Sequence, residues 1–412
     1  MFKLIKKRFH AAFLISFVLL SFMVACSLLV RRPPEPVLSQ LHARDLSART
    51  WPDDMNYEGL ERAVLQSISY YERLGPDKIF QYGEIQYSPY EMIASLKLFL
   101  NIINNTDNGD LPQKLKNTFL VFESRNSEGG AFFTGYYEPL LEGSLVRTDE
   151  FPEPLYRTPE DLIQVDLGRF SDQWKNEKIV GRIQEKQLVP YDSREEIVYQ
   201  LSLKERAEPI VYVNEIELFF LQIQGSGLIR LRDGSLKRVN YAQKNGHPYV
   251  SIGGLLKDRI PTEEISLQSI KSYLYENPDE VRSILNHNQS YVFFRETAEG
   301  PLGNIEVPLT PGRSIAMDSR VVPKGGLAYI ETQLPVFENE RIAGWRAAGR
   351  FAFVQDTGGA IRDHGRVDLF LGSGNEAELT AGHLKQKGRV FVLVARKEYL
   401  NENPLQQMTR KD

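Results

Sequence analysis

Two apolar runs, each carrying an aspartate, constrain this chain more than any other feature. In Phe351–Phe370, FAFVQDTGGAIRDHGRVDLF, Asp356 closes one run and Asp368 sits inside the next, Val367-Asp368-Leu369-Phe370. Runs of this kind predict strands, and the link between them, with Gly358, Gly359 and Gly365, lets the backbone turn sharply or lets a ligand approach closely. A carboxylate embedded in an apolar strand is costly to bury without a partner or a chemical task. Acid–base chemistry is one reading; the competing structural reading is that Asp356 caps a turn and Asp368 is a satisfied buried acid.

The rest of the composition removes most other chemistries. Cys26 is the only cysteine among 412 residues, which excludes internal disulfides, thiolate catalysis by the folded body and cysteine-based zinc sites. The six histidines show no H-E-x-x-H spacing, and neither a G-x-S-x-G elbow nor a phosphate-binding P-loop occurs. No metal and no cofactor is expected. What remains is oxygen chemistry in an ordinary globular composition, on a length that predicts two or three domains at about 150 residues each.

The N-terminus gives an address. Lys3, Lys6, Lys7 and Arg8 precede an uncharged stretch from Ala11 to Val30, with Met23-Val24-Ala25 just before Cys26. This pattern resembles a bacterial lipoprotein signal peptide spanning 1–25, after which Cys26 would carry the lipid. The same stretch is long enough to cross a bilayer as an uncleaved anchor. Either way the body faces away from the cytoplasm. Ser27 does not look like an acidic inner-membrane retention signal, which favours the outer membrane of a Gram-negative cell, facing the periplasm. Removing the four cations of the leader, and no anion, takes the formal charge from −4 to −8. Such a surface makes nucleic acid an improbable partner.

Residues 26–50 read as lipid anchor and tether, with RRPPEP at 31–36 a semi-rigid spacer. Ser88-Pro89-Tyr90-Glu91 forms a capping box with proline at the first helical position, and Met92, Ile93, Leu96, Phe99, Leu100 and Ile103 continue at helical spacing. A short amphipathic run follows over Leu111–Phe122. Strands are then expected at Ile210–Val213, Leu218–Ile223 and Leu228–Leu231, helical patterns from Thr262 to Leu274 and from Pro278, and extended runs again from Tyr291. The order predicts a mainly β protein with N-terminal helices: one β domain built from 51–138 plus 297–412, with a second β domain, 139–296, inserted.

Two clusters suit carbohydrate. Phe132 to Pro139, with Thr134, Gly135, Tyr136 and Tyr137, gathers aromatics and hydroxyls around a glycine, matching the apolar faces and polar rims of sugar rings. Phe219 to Gly227 is expected to place Gln222 and Gln224 on one face of a strand, where amides can grip hydroxyl and acetamido groups, ahead of Gly225-Ser226-Gly227. Taken singly, each also fits core packing and an ordinary turn.

Taken in order, TGYYEP (134–139), QIQGSG (222–227), YVSIG (249–253), VPLTPGRSIA (307–316) and QDTGGAI (355–361) resemble the motifs of the membrane-bound lytic murein transglycosylase A family. The last resembles the three-aspartate (3D) double-psi β-barrel, with Asp318, Asp356 and Asp368 at the matching places. The resemblance implies such a barrel with a second β-barrel inserted and a glycan groove between them. It also implies a peptidoglycan lytic exotransglycosylase, a lyase that cleaves the β-1,4 bond between N-acetylmuramic acid and N-acetylglucosamine and leaves a 1,6-anhydro muramyl end. The family's single catalytic acid/base falls on Asp368, with Asp356 and Thr134 supporting it.

One carboxyl suffices for that reaction. A glycoside hydrolase generally needs two, whereas here the sugar's own 6-hydroxyl is the nucleophile, so one aspartic acid can give a proton to the leaving oxygen and take one from the hydroxyl. Asp368 should then have a raised pKa. Two alternatives remain open: a non-catalytic peptidoglycan-binding lipoprotein, and an aspartic peptidase, since Asp356-Thr357-Gly358 matches one D-T-G loop where two are needed. Peptidoglycan strands and the membrane are the expected partners; no segment singles out a cell-wall synthesis or division protein.

Overall fold

The computed structural model describes residues 38–400 except 43, 44, 47, 48, 108 and 176. The leader, Cys26 and most of the tether lie outside the described residues. Two helices, Leu60–Glu72 and Pro89–Asn105, dominate the N-terminal part of the described chain. The second has the expected capping box: Ser88 Oγ accepts from Glu91 N, while the Glu91 carboxylate accepts from Ser88 N at 2.8 Å. A short helix, Leu111–Thr118, follows. Four strands come with this part: β1 (Ser39–Gln40), the hairpin β2 (Phe80–Tyr82) and β3 (Ile85–Tyr87), and β4 (Phe119–Ser124), with β1 paired to β4.

The chain enters the barrel on β5 (Ala131–Glu138) and leaves it at once, because β6 (Leu140–Ser144) belongs to a different sheet. That sheet has the order β14-β13-β12-β6-β11-β7, where β7 is Glu153–Tyr156, β11 Pro209–Val213, β12 Ser226–Arg230, β13 Leu236–Lys244 and β14 Val292–Glu296. A three-stranded sheet of β8 (Ile163–Asp166), β9 (Lys178–Gln184) and β10 (Gln187–Pro190) flanks it. Helices Arg194–Val198, Glu215–Gln224, Leu267–Glu276 and Pro278–Leu285 complete this second body. The crossing point is pinned by Arg238 Nε, which donates to Glu138 Oε1 at 2.9 Å.

The expectation of a strand over Leu218–Ile223 is wrong. Glu215–Gln224 is an α-helix, capped at its start by Asn214 Oδ1, which accepts from Ile216 N and Glu217 N, and ended by Gly225 at φ 81°. Its run of Leu, Phe and Ile is buried on nearly all sides, so the apolar pattern has no helical periodicity to show.

Beyond β14 the chain re-enters the barrel with β15 (Ser314–Ala316), β16 (Leu327–Glu338), β17 (Arg341–Asp356), β18 (Arg366–Ser373) and β19 (Gln386–Ala395), plus a helix at Asn375–His383. The order β19-β16-β17-β15-β18-β5 closes because β5 also pairs with β19, giving a six-stranded ring without free edges. The barrel interior merges with the N-terminal helices in one core: Val367, Leu369, Phe133 and Phe353 meet Val64, Met92 and Phe99. Several motif residues serve this core. Gln355 is fully buried and donates to Ala63 O at 2.7 Å, and Arg313 is clamped by Asp53.

Candidate active site

Strand alternation separates the barrel core from the site. On β18, Val367 and Leu369 point into the core, so Asp368 and Phe370 face the other way. On the neighbouring parallel strand β5, Phe133 faces inward, while Thr134 lies opposite Asp368 and Tyr136 opposite Phe370. The short strand β15 lies between β17 and β18, and its Ala316 pairs with Asp356 on one side, across an irregularity, and with Asp368 on the other. Two strand spacings therefore separate the two aspartate backbones, roughly 10 Å. A small apolar cluster of Tyr136, Leu309, Ala316, Ile361 and Phe370 surrounds them outside the main core.

These groups form the floor of a cleft of about 640 Å³ between the barrel and the second body. Tyr136, Asp318, Asp356, Asp368 and the 357–362 link line it from the barrel, and Arg194, Gln222, Gln224, Gly225, Ser226, Asn240, Lys244 and Tyr249 line it from the second body. Both aspartates keep part of their side chain open to this space.

Among the described residues Asp368 has one hydrogen-bond partner, the Thr134 hydroxyl, which donates to Oδ1 at 2.6 Å. Burial pushes its carboxyl above the usual range, against the opposing pull of Thr134 and of the Arg366 guanidinium. Asp356 is held more firmly. Its Oδ1 accepts from Asn304 N at 2.9 Å and Thr357 N at 2.8 Å, and its Oδ2 accepts from Tyr136 Oη at 2.8 Å. Burial still dominates and lifts it to about 6, with the charge of Asp368 adding to the rise. Asp318 differs: burial would raise it, but Arg320 and the backbone N–H groups of Arg320 and Asp363 outweigh that and hold it at about 2. It accepts from Asp363 N at 3.0 Å, so it braces the link between β17 and β18. Gly365 in that link, at φ 62°, leaves no room for a side chain, since a Cβ would meet Gly130 O at 2.5 Å.

The sequence-selected residues divide accordingly. Tyr136, Asp356 and Asp368 come together on the cleft floor, Thr134 is bonded to Asp368, and Gln222, Gln224, Gly225 and Ser226 reach the cleft wall. Tyr137 does not line the cleft: it is 2% exposed, and its backbone N–H donates to Gln224 Oε1 at 3.1 Å. Gly135 and Gly227 are close-packing positions, where a Cβ would meet Leu371 and Leu221 side chains at 2.5 Å. Gln222 and Gln224 lie on a helix, not a strand, and the Gln222 amide is engaged, accepting from Arg194 Nη2 at 2.6 Å and donating to Val292 O at 3.2 Å. Asn304 escaped the sequence reading because it acts through its backbone N–H, which carries no side-chain signal. Arg194 is a buried arginine whose setting only the tertiary structure reveals.

Among the described residues, no group of three or more His, Cys, Asp or Glu side chains is placed to hold a metal ion. No helix among them is long and apolar enough to cross a membrane.

Barrel, second body and two carboxyls raised by burial on the floor of the cleft between them define the class: a two-body β protein whose cleft floor suits acid–base chemistry. Residues 132–295 match the MltA specific insert domain and residues 313–394 match the 3D domain. The membrane-bound lytic murein transglycosylase A of Escherichia coli strain K12 is 33% identical over 276 residues, 66% of this chain and 67% of that protein. Its counterpart in Vibrio cholerae is 32% identical over 276 residues, 65% of this chain and 66% of that protein. The crystal structure of a membrane-bound lytic murein transglycosylase from Agrobacterium tumefaciens aligns with a TM-score of 0.70 at 29% identity, covering 88% of this chain and 99% of its own. That of E. coli MltA with bound chitohexaose aligns with a TM-score of 0.62 at 26% identity, covering 88% and 95%. The chain belongs to the membrane-bound lytic murein transglycosylase A family.

Proposed function

We propose that this protein is a lytic transglycosylase, cleaving the β-1,4 bond between N-acetylmuramic acid and N-acetylglucosamine in peptidoglycan and leaving 1,6-anhydro-N-acetylmuramic acid. The observation that carries the reading is the setting of Asp368: a carboxyl lining the cleft, raised by burial, with a single hydroxyl as hydrogen-bond partner among the described residues. Thr134 occupies Oδ1 and leaves Oδ2 available to carry the proton. In the forward step Asp368 gives that proton to the glycosidic oxygen as the bond from muramyl C1 to that oxygen breaks. The ionised Asp368 then takes the proton of the muramyl 6-hydroxyl while O6 bonds to C1. Asp368 ends protonated, as it began, and water enters neither product.

Asp356 supports this chemistry without exchanging a proton with substrate. Tyr136, Asn304 and Thr357 fix its two oxygens, and when ionised it places a negative charge beside Asp368 and the positive charge that builds on the sugar ring. The relatives are named as membrane-bound murein enzymes. With the leader and Cys26 this supports an outer-membrane lipoprotein facing the periplasm, its body reaching the glycan strands on a short tether. The test is to incubate the purified protein with murein sacculi and take the mass spectrum of the released glycan. Anhydro muramyl ends are expected; reducing muramic acid ends would make it a hydrolase, peptide cuts a peptidase, and binding without products a scaffold.

A further inference from the structure

Each side of the cleft carries a cation with no acid to match it. Lys244 ends β13 on the second body, and Arg362 stands on the barrel's link between β17 and β18; both line the cleft. Neither side chain has a carboxylate partner among the described residues. Arg362 Nε donates to Gly359 O, within its own link, at 3.3 Å, and the half-buried Lys244 ammonium has no hydrogen-bond partner there. Burial and the like charge of Arg362 both hold that ammonium below its usual value.

A third cation lies deeper in the same wall. Arg194 is 4% exposed; its Nε donates to Asn288 O at 2.9 Å and its Nη2 to Gln222 Oε1 and Ser290 O at 2.6 Å, while Nη1 has no partner among the described residues. Gln222 connects it to Lys244, because Gln222 Nε2 donates to Val292 O and Val292 pairs with Lys244. Glu215, whose charge reaches Arg194, is engaged by Tyr199 Oη. Elsewhere around the cleft the charges are matched: Arg295 pairs with Glu306 and Arg320 with Asp318.

Like charges facing each other over an open cleft repel when it is empty and become favourable when an anion enters. This step rests on the muramyl-glycan reading above. The sugar backbone of such a strand is neutral except at the lactyl arm of muramic acid, which ends in a carboxylate when bare and in a carboxylate-bearing peptide when substituted. We infer that Lys244 and Arg362 form a carboxylate clamp across the cleft, backed by Arg194, that reads the lactyl arm and so sets muramyl glycan apart from neutral chitin-like chains.

The test, run in the non-cleaving Asp368→Asn background, compares the otherwise unchanged protein with the one that also carries Lys244→Gln, Arg362→Gln in calorimetric binding to three ligands: chitohexaose, peptide-free muroglycan oligomers and peptide-bearing oligomers. The ratio of anionic to neutral affinity should fall about tenfold in the variant, the scale of one lost charge-assisted contact. With Lys244 and Arg362 intact the ratio should shrink as salt is raised, and in the variant it should be nearly flat. Lys244→Arg, Arg362→Lys should keep the ratio, which guards against a misfolded glutamine variant. A fall confined to peptide-free oligomers assigns the bare lactyl carboxylate as the source, and one confined to peptide-bearing oligomers assigns the stem peptide. An unchanged ratio, or equal losses on neutral and anionic ligands, overturns the clamp. Because binding is read without turnover, a wild type that yields no anhydro product would defeat the reaction reading while leaving the ratio to be judged on its own.

Discussion

Asp368 lies on barrel strand β18 and Asp53 on the segment ahead of the Leu60–Glu72 helix that packs against the barrel, and they are opposite kinds of acid. Asp53 meets the fully buried Arg313 through two bonds of 2.6 and 2.8 Å, and although burial opposes it, that pairing and the backbone donors hold its carboxyl below the usual range. Asp368 meets a single neutral hydroxyl, and burial wins. Asp318 falls with Asp53, and Asp356 with Asp368. A buried carboxylate with a cation in contact is held ionised; one without is shifted toward its protonated form, and both kinds occur around this barrel.

The comparison breaks first at Asp368. Asp368→Asn keeps the shape but cannot exchange a proton, so release of anhydro muropeptides from sacculi should fall on the order of 10³-fold. Glycan binding, measured separately, should be largely retained. Substantial residual turnover in that variant, with Asp356→Asn dead, would reverse the two roles.

At the Asp53–Arg313 pair the expected loss is in stability. Arg313→Met leaves Asp53 buried without its cation and should cost about 3–5 kcal/mol in denaturant unfolding. Adding Asp53→Asn to it should recover part of that loss. A cost under about 1 kcal/mol would mean the pair does not brace the fold.

The two kinds of acid should also titrate stability in opposite directions. Asp356, lifted to about 6, contributes fully below the unfolded value of 3.8 and loses that contribution as pH rises through about 6. Asp356→Asn should therefore gain on wild type between pH 4 and pH 8. Asp318, held at about 2, contributes above 3.8 and loses that contribution as pH falls through about 2. Asp318→Asn should be destabilised at pH 7, with the gap closing in acid. Urea midpoints across this range check both slopes, and parallel curves would erase the distinction.

The smallest change is Tyr136→Phe. It removes the donor to Asp356 Oδ2, should move that carboxyl further up, and should lower turnover less than about tenfold with the fold intact. A loss as large as that of Asp368→Asn would place Tyr136 in the chemistry itself.

Much of this was legible in the sequence, for definite reasons. Asp368 announced itself because an acid flanked by Val367, Leu369 and Phe370 contradicts its surroundings, and the Pro89–Asn105 helix because its capping box is local. The helix at Glu215–Gln224 was hidden, since a segment buried nearly all round has no polar face to set its period; Asn214 and Gly225 were the available signals. Tyr137 and Gly135 were misplaced for a different reason. A β-strand sends neighbours to opposite faces, and TGYYEP does not say which face meets the cleft. Pairings such as Asn304 with Asp356, or Lys244 opposite Arg362, join residues far apart in the chain and exist only once the two bodies are in place.

That Asp368 binds its proton more tightly than the cation-paired acids is checked by NMR titration of the aspartate side-chain carboxyl carbons, with Asp368→Asn, Asp356→Asn and Asp318→Asn supplying the assignments. Asp368 should titrate above the ordinary 3.8 and Asp356 at about 6, while Asp318 should remain ionised down to about 2. Asp368 titrating at or below 3.8 would leave it no proton to give at neutral pH and would contradict the single-carboxyl mechanism.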